Sequence, residues 1–522
     1  MARPFFILLL FTCLSGRSQQ KISVDICVYG GTSSGVIAAC TASKLGKKVI
    51  LVSASAHLGG MSSGGLGNTD IGNKIAITGL ARDFYKRVGT HYGKTEQWIF
   101  EPHVAENIFR TYIQESSVPV LFQQSLMHVF KKGQTIVEIQ TGPVEPGTGN
   151  PGYLIHAKEF IDCSYEGDLM AMSGVSYTVG RESNQQYDEI YDGVQLLDKH
   201  QFPDGVVPYL HEGVPEREIL WGIDSGALAP RGTGDKKVQA YNFRICLTDS
   251  PANRLAINRP ERYDSSHYEL LLRYVQTKKP ASLEEGILNF NHMPFRKTDI
   301  NNNGPFSTDM IGMNYEYPDG NTETRKKIIQ AHIDYNKGLL YFLGHDSRLP
   351  EHLRNEMLQW GYPKDEYNDN DHWSPQLYIR EARRMIGEYV MTEANCTGKM
   401  KVTDGIGLAA YTMDSHNCQR LIVNGMVKNE GDVQVGGFPP YPISYNSIVP
   451  KQSECTNLLV PVCLSASHIA YGSIRMEPVF MVLGQSAAAS AVMAIDMKLP
   501  VQKIPVPKLQ KELKENPLVI HR

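Results

Sequence analysis

The sequence predicts an α/β fold whose core is a parallel sheet, and three observations support this prediction. Strand-forming residues over Val24–Tyr29 lead directly into the glycine turn Gly30–Gly35. The helix-forming stretch 36–45 follows and ends at Gly46. Val49–Val52 then supplies a second apolar strand. A strand, a helix and a strand in this order form a β-α-β unit, in which both strands run parallel.

The composition is that of a globular protein with a balanced charge. The chain has 522 residues, of which 42% are hydrophobic and 20% charged, and its formal net charge is -3. At roughly 150 residues per domain, this length predicts about three structural units. Lys and Arg form no clustered excess that could bind phosphates, so we expect no nucleic acid partner. The nine cysteines include no C-x-x-C pair, so we expect neither a metal site nor a disulfide scaffold.

The first residues have the pattern of a cleavable signal peptide. Arg3 precedes the apolar stretch Phe5–Phe11, which is too short to span a membrane. Cleavage after Ser18 would release the chain outside the cytoplasm, in the periplasm or the medium, without stable membrane insertion. The alternative is a lipoprotein anchored at Cys13, although the residues before this cysteine do not favour lipidation.

Each residue of the glycine turn has a candidate role in binding a dinucleotide. Gly30 permits a tight turn and Gly35 lets the helix pack on the strand, so that free N–H groups face a pyrophosphate. Thr32 replaces the usual middle glycine, and Ser53 replaces the acidic residue that usually binds the adenosine ribose. The alternative is an ordinary β-α-β turn without a ligand. The candidate contacts are Gly30, Gly31, Thr32, Ser33, Ser34, Gly35 and Ser53.

A second glycine-rich segment, His57–Gly67, fits neither a helix nor a regular strand. So many glycines indicate that the backbone closely approaches another group, such as a flat ring or a pyrophosphate. A mobile surface loop is the alternative. The candidate cofactor contacts in this segment are Leu58, Gly59, Gly60 and Met61.

Ordered sequence blocks between about residues 24 and 490 carry a resemblance to a known family. Besides the two glycine segments, the blocks are Phe160–Leu169, Lys297–Asn302, Tyr378–Met385, Tyr411–His416, Asn457–Val462, Ser465–His468 and Arg475–Gln485. In these blocks the chain resembles the FAD-dependent oxidoreductases, a family of secreted and cytoplasmic bacterial flavoproteins. Some members carry the name xanthan lyase. The resemblance implies non-covalently bound FAD and makes Ser53 a tolerated variant, but it indicates no substrate.

The resemblance implies a Rossmann-like FAD-binding domain, and the sequence pattern divides the chain around it. Strand-like segments on both sides of the Pro/Gly loop 142–152 predict an antiparallel meander beside the parallel sheet. Residues 176–399 are richer in Pro, Asn, Tyr and Trp, which predicts an inserted mixed α/β substrate lobe. We therefore predict a signal peptide over 1–18 and an FAD-binding domain formed by 19–175 and 400–522. Further candidate cofactor contacts are Met127 and Asp162.

A long helix is predicted after Pro478, because proline suits the first turn of a helix. Negative charge builds near the flavin C2 carbonyl on reduction, and the free N–H groups of this helix could face that carbonyl. The alternative is a buried helix that only packs. The candidate contacts are Glu477, Pro478, Met481 and Val482.

Two histidines are candidate bases for the proton that accompanies hydride removal, because histidine titrates near neutrality. His468 lies just before the predicted flavin helix, and Asp414 is close enough in sequence to orient the ring of His416. Arg475 is a candidate for holding a substrate oxygen or the flavin. The alternatives are histidines with purely structural partners and a salt bridge of Arg475.

A further helix is predicted around Arg380, Arg383 and Arg384, whose i, i+3 and i+4 spacing places them on neighbouring helix faces. Arginines with this spacing mostly form structural ion pairs with nearby acidic residues such as Glu381. We therefore leave them out of the candidate site.

These features predict an exported FAD-dependent oxidoreductase that acts on a polar small molecule. It would remove hydride from a C–H bond next to oxygen or nitrogen, for example in a sugar or glycoside. The nicotinamide pool is intracellular, so oxygen, a quinone or a redox protein is the expected electron acceptor. The alternatives are a polysaccharide lyase and a non-catalytic binding protein. Neither alternative explains the blocks that imply FAD.

Overall fold

The computed structural model describes residues 20–145, 151–211 and 218–517. The predicted signal peptide and Cys13 lie outside these residues. The strands are β1 Gln20–Ser23, β2 Ile26–Tyr29, β3 Val49–Val52, β4 Val120–Leu121, β5 Gln124–Lys132, β6 Thr135–Pro143, β7 Tyr153–His156, β8 Glu159–Asp162, β9 Tyr177–Val179, β10 Ile245–Thr248, β11 Arg254–Leu255, β12 Leu288–Met293, β13 Lys297–Asn302, β14 Tyr362–Pro363, β15 Arg383–Met385, β16 Gly405–Ala409, β17 Met413–Ser415, β18 Gln419–Val423, β19 Met426–Glu430, β20 Val433–Val435, β21 Tyr441–Ser444 and β22 Leu458–Leu459. The α-helices are α1 Ser33–Lys44, α2 Gly79–His91, α3 Pro102–Glu115, α4 Asp168–Met172, α5 Glu269–Lys278, α6 Thr322–His345, α7 Glu351–Met357, α8 Glu393–Cys396, α9 His468–Ile474, α10 Glu477–Met497 and α11 Val506–Glu515.

The central sheet has five parallel strands in the order β22-β8-β2-β3-β4. Ile26, Val28 and Leu51 have no exposed surface. Continuous apolar runs of this kind are typical of parallel strands that are covered on both faces. The predicted β-α-β order and the parallel sheet are therefore confirmed, and β22 shows that a distant part of the chain completes this sheet.

A second sheet, in the order β1-β7-β6-β5, lies beside the first. β5, β6 and β7 pair antiparallel, as the predicted meander requires, and β1 joins β7 in parallel. Ile136, Ile139 and Ile155 are fully buried and share one apolar cluster with Phe160 of the parallel sheet. The meander is therefore attached to the parallel sheet by a common core.

The segment between β9 and β15 mixes helices with short sheets. It contains the antiparallel sheet β10-β13-β12 and the 24-residue helix α6, whose N-cap Asn321 accepts a hydrogen bond from the Thr324 N–H at 2.9 Å. β9 pairs antiparallel with β15, so the two ends of the segment lie side by side. The β18–β19 hairpin also contacts this segment, because Arg181 Nη1 lies 2.7 Å from Glu430 Oε1.

The predicted C-terminal helix is confirmed as α10, with Pro478 in its first turn. Among the described residues, α10 is the one helix long and apolar enough to cross a membrane by length and composition, and 94% of that window is buried within the protein. It packs on α1 so closely that a Cβ atom at Gly484 would lie 2.4 Å from the Ser34 carbonyl oxygen. We read α10 as the central helix of the core.

The helix predicted around Arg380 is wrong. Arg383–Met385 is an extended strand, β15, paired with β9, and the Met385 N–H donates to the Cys463 carbonyl at 3.0 Å. Arg384 is fully buried and pairs with Glu182 and Glu381. Sheet pairing and buried ion pairs, which join distant parts of the chain, override the local helical spacing of these residues.

Candidate functional site

A cavity of about 410 Å³, the nucleotide cavity, lies at the carboxyl ends of β2 and β3. This is the edge at which nucleotides bind to open α/β sheets. One wall is the glycine turn and the opposite wall belongs to α6 and the loop before it. The lining includes Gly30, Gly31, Thr32, Ser53, His57 and Gly60 on one side and Tyr317, Arg325 and Lys326 on the other.

The glycine turn leaves no room for side chains at two of its positions. A Cβ atom at Gly30, where φ is +109°, would lie 2.6 Å from the Cys163 carbonyl carbon. A Cβ atom at Gly35 would lie 1.9 Å from the Gly30 carbonyl oxygen. The turn therefore brings β2, β8 and the first turn of α1 into direct contact, with the helix N-terminus beside the cavity.

Thr32 and Ser53 use their hydroxyl groups inside the protein. Thr32 is the N-cap of α1, where its Oγ1 accepts a hydrogen bond from the Gly35 N–H at 3.2 Å and donates to the Cys163 carbonyl at 2.8 Å. Ser53 Oγ donates to the Ser55 carbonyl at 3.0 Å and accepts from the Ser55 N–H at 3.2 Å. Thr32, which stands where the motif usually has glycine, therefore caps the helix α1. Ser53 fixes the shape of the loop after β3.

The second glycine-rich segment is held firmly against the first. The Gly59 N–H donates to the Gly31 carbonyl at 2.8 Å, and a 3₁₀ turn follows at Gly60–Ser62. Leu58 and Met61 are buried, and the Met61 N–H donates to the Tyr165 hydroxyl at 2.9 Å. Gly60 lines the nucleotide cavity. The segment therefore forms part of the cavity wall.

Glu477 joins three segments of the cavity wall through hydrogen bonds from hydroxyl groups. Its Oε2 accepts from Ser33 Oγ of the glycine turn at 2.5 Å and from Ser62 Oγ of the second segment at 3.0 Å. Its Oε1 accepts from the Tyr165 hydroxyl at 2.6 Å. Burial raises the pKa of Glu477, and the three hydroxyl donors oppose that rise. These residues come together from four distant parts of the sequence.

A second cavity, the polar cavity, has a volume of about 10 Å³, which is roughly that of one water molecule. It adjoins the nucleotide cavity at Tyr165, which lines both. Its wall contains the start of α10 and the end of the second glycine-rich segment. The lining residues are Leu66, Asp70, Tyr165, Tyr378, Ile379, Arg380, Arg475, Met476, Glu477 and Phe480. Met481 and Val482 are buried one helical turn further along α10, and Pro478 is buried in its first turn.

Arg475 and Asp414, both predicted site residues, contact each other at the polar cavity. The Arg475 guanidinium donates to the Tyr378 hydroxyl at 3.0 Å, to Gln239 Oε1 at 3.2 Å and to Asp414 Oδ2 at 3.1 Å. Burial raises the pKa of the Tyr378 phenol. Arg475 therefore holds a buried positive charge in the cavity wall, next to the N-terminus of α10.

His416 lies beside Asp414, but another carboxylate orients its ring. Its Nδ1 is 2.7 Å from Asp309 Oδ2, whereas its Nε2 is 3.8 Å from Asp414 Oδ2. Burial disfavours the charged form of Asp309, but the charges of Arg380 and His416 hold the pKa of that carboxyl below its usual range. Asp414 lies in the strand β17, and His416 directly follows the end of that strand.

His468 is buried at the first position of α9, and both of its ring nitrogens have protein partners. Nδ1 is 2.7 Å from Glu381 Oε2 and Nε2 is 2.9 Å from Ser415 Oγ. Burial opposes ionisation of Glu381, but His468 and Arg384 lower the pKa of its carboxyl to about 2. This geometry favours a structural role for His468.

Met127 and Asp162 lie close to the nucleotide cavity but face away from it. Met127 is on β5 with 48% of its surface exposed, and its neighbours Ser125 and Leu126 line the cavity instead. Asp162 Oδ1 accepts from the Ser164 N–H at 3.0 Å and Oδ2 from the Met170 N–H at 2.8 Å. Burial raises the pKa of Asp162 to about 6. Asp162 therefore fixes the turn that carries Tyr165.

One group of metal-ligating side chains was found among the described residues, and a lysine occupies its centre. Atoms of Glu101, His103 and Glu366 lie within 4.8 Å of one another. Lys297 Nζ is 2.6 Å from Glu101 Oε1 and 2.7 Å from Glu366 Oε1. The Lys297 ammonium supplies the positive charge that these carboxylates need. The cluster is therefore a buried ion-pair network.

Sequence reasoning missed several residues of the two cavities. Asp70 and Arg325 come from segments that carry no motif of their own, and tertiary contacts alone bring them to the cavities. Tyr165 and Tyr378 lie inside the blocks Phe160–Leu169 and Tyr378–Met385, and the position of Tyr165 directly after a buried strand was a signal that could have identified it. Asp309, which orients His416, was also missed.

Comparison with protein-family profiles identifies one family. The sequence profile of the family described as FAD dependent oxidoreductase matches residues 25–513. Comparison with curated protein sequences gave no match.

Among solved structures, OxyS anhydrotetracycline hydroxylase from Streptomyces rimosus is 9% identical, with a TM-score of 0.25, over 35% of this chain and 36% of its own. THI4 from Thermovibrio ammonificans is 16% identical, with a TM-score of 0.24, over 31% of this chain and 66% of its own. L-proline dehydrogenase from P. horikoshii is 15% identical, with a TM-score of 0.19, over 32% of this chain and 26% of its own.

Proposed function

Because the chain belongs to the family of FAD dependent oxidoreductases, we propose that this enzyme removes hydride from a C–H bond next to oxygen or nitrogen of a polar small molecule. The observation that carries the proposal is the nucleotide cavity of about 410 Å³ beside the first glycine turn, which has the room and the close backbone approach that FAD needs. The polar cavity adjoins it, and there Tyr378 and Arg475 line a space that holds about one water molecule. This space suits a single substrate oxygen, such as one hydroxyl group of a sugar or glycoside.

The residues of the nucleotide cavity fit the cofactor FAD. The N-terminus of α1 and the side-chain-free positions Gly30 and Gly31 allow a pyrophosphate to approach the backbone. Arg325 and Lys326 line the opposite wall, where Asp168 and Glu145 pair with them. Ser125 and Leu126, on the first strand of the meander, also line this cavity.

The chain's own residues can orient a substrate at the polar cavity. FAD, when bound, supplies the hydride acceptor of the reaction. Arg475 and the Tyr378 hydroxyl can hold a substrate oxygen, and the N-terminus of α10 favours negative charge nearby. Of the two histidines, His416 is the better placed to share a proton, because Asp309 fixes its Nδ1 and leaves Nε2 toward Asp414.

We further propose that the enzyme works outside the cytoplasm after removal of residues 1–18. The apolar stretch Phe5–Phe11 behind Arg3 supports export. An exported enzyme has no access to the intracellular nicotinamide pool, so oxygen, a quinone or a redox protein would reoxidise it. Mass spectrometry of the protein from whole cells and from the periplasmic fraction would test this, with an N-terminus at Gln19 as the expected result.

The visible spectrum of the purified protein tests the proposed reaction. We expect flavin absorption bands, and we expect anaerobic addition of sugars, glycosides or simple amines to bleach them with at least one compound class. The panel should include glucose, galactose, methyl glucosides and benzylamine. Dithionite, which reduces any accessible flavin, is the control for a redox-competent cofactor.

Two outcomes would contradict the proposal in different ways. A protein that keeps its flavin, is bleached by dithionite and responds to no compound of the panel would instead be a binding protein of this fold. If the protein cleaved an acidic polysaccharide and the flavin were not bleached, the result would favour lyase chemistry.

A further inference from the structure

We propose that Glu166 binds hydroxyl groups of a sugar unit of FAD, an inference that rests on the proposed function. FAD contains two such units, the adenosine ribose and the ribityl chain of the flavin. In a fold of this kind an acidic residue at the end of the second strand usually binds the ribose hydroxyl groups. This chain has Ser53 at that position, after β3, whereas Glu166 follows β8 on the other side of β2.

Ser53 has little hydrogen-bonding capacity left for a sugar. Its Oγ donates to the Ser55 carbonyl at 3.0 Å and accepts from the Ser55 N–H at 3.2 Å. A serine hydroxyl has one donor and two acceptor lone pairs, so one lone pair remains. Two neighbouring sugar hydroxyl groups bring two donors. The nucleotide cavity therefore needs a further acceptor.

Two carboxylates line the nucleotide cavity among the described residues, Glu166 and Asp168. Asp168 is occupied within the protein, because Arg325 donates to both of its oxygens at 2.7 and 2.9 Å and Arg383 donates to Oδ1 at 2.7 Å. Glu166 Oε1 accepts from the Tyr317 hydroxyl at 3.1 Å. Within the described part of the chain, no other residue donates a hydrogen bond to Glu166 Oε2. Glu166 therefore keeps the acceptor capacity that Asp168 has used.

The position of Glu166 is fixed by contacts of its backbone, its side chain and its neighbour. Arg383 Nη1 donates to the Glu166 carbonyl at 3.1 Å, and Tyr317, which holds the side chain, lines the same cavity. The preceding residue, Tyr165, donates to Glu477 at 2.6 Å. The carboxylate is thus ordered before a ligand binds, and this order lowers the entropy cost of binding.

The surroundings of Glu166 favour a further hydrogen-bond donor. Burial raises the pKa of the Glu166 carboxyl; the charge of Arg325 opposes this rise and that of Asp168 adds to it. A raised pKa means that the donors around the carboxylate do not fully replace its lost hydration. Hydroxyl groups of a bound sugar would supply such donors, and hydrogen bonds to an ionised acceptor are stronger than those between neutral groups.

The positively charged groups that line the cavity suit the phosphates of FAD rather than its hydroxyl groups. His57, Arg325 and Lys326 belong to this lining. A hydrogen bond with Glu106 raises the pKa of His57, which favours the charged ring with two N–H donors. Arg325 and Lys326 carry only donors. The hydrogen atom of a sugar hydroxyl needs an acceptor, and Glu166 offers one.

The test measures the affinity of the full-length protein for FAD and for FAD analogues that each lack one sugar hydroxyl group. One set of analogues lacks the 2′- or 3′-hydroxyl of the adenosine ribose, and the other lacks the 2′-, 3′- or 4′-hydroxyl of the ribityl chain. We expect wild type to bind at least one analogue about tenfold or more weakly than FAD. The set that contains this analogue identifies the sugar unit. Quenching of flavin fluorescence on titration with protein measures each Kd.

The variant Glu166→Gln has nearly the same size but lacks the charge. It should bind FAD about tenfold or more weakly than wild type, and it should bind the weakened analogue within about threefold of its own affinity for FAD. Glu166→Ala, which removes the acceptor altogether, should show the same loss of discrimination. The matched control is Asp83→Asn, since Asp83 also accepts from a tyrosine hydroxyl, that of Tyr112 at 2.6 Å, but lies outside the cavity lining. Its affinities should equal those of wild type.

Three results would overturn the role of Glu166. Wild type that binds every analogue as tightly as FAD would do so without reference to the folding of any variant. Equal discrimination by wild type, Glu166→Gln and Glu166→Ala would assign the hydroxyl group to another residue. Both of these results leave FAD binding, and with it the proposed function, intact. Wild type that binds no FAD would overturn the proposed function as well.

Discussion

At the scale of single residues, the site depends on side chains that connect distant segments. Ser53 bonds within its own loop, but Thr32 reaches the Cys163 carbonyl, and Glu477 bonds to Ser33, Ser62 and Tyr165. A carboxylate can accept all three hydroxyl donors, because it has two acceptor oxygens and no donor when ionised. Glu477 thereby fixes the spacing between the two glycine segments and the turn after β8.

Replacing Glu477 by Gln should weaken FAD binding without preventing folding. The amide nitrogen cannot accept a hydrogen bond, so at least one of the three hydroxyl groups loses its buried acceptor, at a cost of about 1–3 kcal/mol. That cost corresponds to roughly 5- to 150-fold weaker FAD binding if it falls on the cofactor-bound state. Quenching of FAD fluorescence on titration with protein measures the change.

The control for this variant is Glu515→Gln on α11, where the side chain is 58% exposed and pairs with Lys511 at 3.7 Å. Exposed pairs of this kind contribute little, so its FAD affinity should equal that of wild type. Equal affinity in Glu477→Gln would show that the hydroxyl groups find other acceptors and that Glu477 is dispensable for the cavity wall.

At the scale of elements, α6 combines a cavity wall with a buried titratable group. Arg325 and Lys326 at its start line the nucleotide cavity, and His332, further along, is fully buried. The His332 Nδ1–H donates to the Ile328 carbonyl at 2.8 Å. Burial lowers the pKa of His332 from 6.5 to about 4, because the charged imidazolium would lose its hydration.

The stability of the folded chain should therefore fall between pH 6.5 and about pH 4, in part through His332. The folded-state pKa is below the unfolded value, so this stability is fully present above pH 6.5 and is lost as the pH falls toward 4. His332→Leu should remove this pH-dependent contribution to the free energy of unfolding. The contribution amounts to about 3 kcal/mol between pH 6.5 and about pH 4. Urea unfolding of both proteins at pH 4, 5, 6 and 7 measures the difference.

His345 offers a matched control on the same helix. Its Nδ1 also bonds to the carbonyl four residues earlier, Tyr341, at 3.0 Å, but its side chain is exposed. His345→Leu controls for the loss of an imidazole from an exposed position of α6, with its unfolding measured at the same four pH values. A stability difference between wild type and His332→Leu that is constant from pH 7 to pH 4 would rule out the buried neutral imidazole.

At the scale of the whole molecule, the inserted segment and the nucleotide-binding segment share one cavity. Arg325 of α6 donates to both carboxylate oxygens of Asp168 on α4, at 2.7 and 2.9 Å. Arg383 contacts the same carboxylate at 2.7 Å. Lys326 pairs with Glu145, after β6, at 2.8 Å. Ion pairs therefore connect the two walls of the cavity in which we propose that FAD binds.

Arg325→Ala should loosen this connection and reduce the stabilisation that FAD provides. Wild type in FAD at 100 times its Kd should gain about 2.7 kcal/mol of stability, which appears as a rise in Tm. In Arg325→Ala the same FAD concentration should give a smaller rise, because a wall of the cavity has lost its anchor. Thermal unfolding scans with and without FAD measure the rise in Tm for both proteins.

Arg348→Ala provides the comparison, since Arg348 is 44% exposed and pairs with Asp346 and Glu269 away from the cavity lining. Its FAD-induced rise in Tm should match that of wild type. The same rise in Arg325→Ala would mean that α6 does not contribute to the retention of FAD.

The sequence by itself determined the elements that depend on local pattern. The β-α-β opening, the meander, the family and the helix after Pro478 all follow from apolar spacing, glycine turns and ordered blocks, which are properties of neighbouring residues. The predicted FAD-binding role of the glycine turn rests on the same kind of information. The limits of the domains and the individual site contacts stay predictions.

Only the tertiary structure decided which side chains meet. Arg383 and Arg384 have helical spacing but lie on a strand, because β9 and buried carboxylates offer them partners far away in sequence. Asp309, rather than the neighbouring Asp414, orients His416, and Asp70 reaches the polar cavity because distant residues anchor its loop. Burial, ion pairing and proton affinity depend on these long-range contacts. Spacing along a chain carries no information about them, and this is the physical reason that the contacts of the site emerged only from the folded structure.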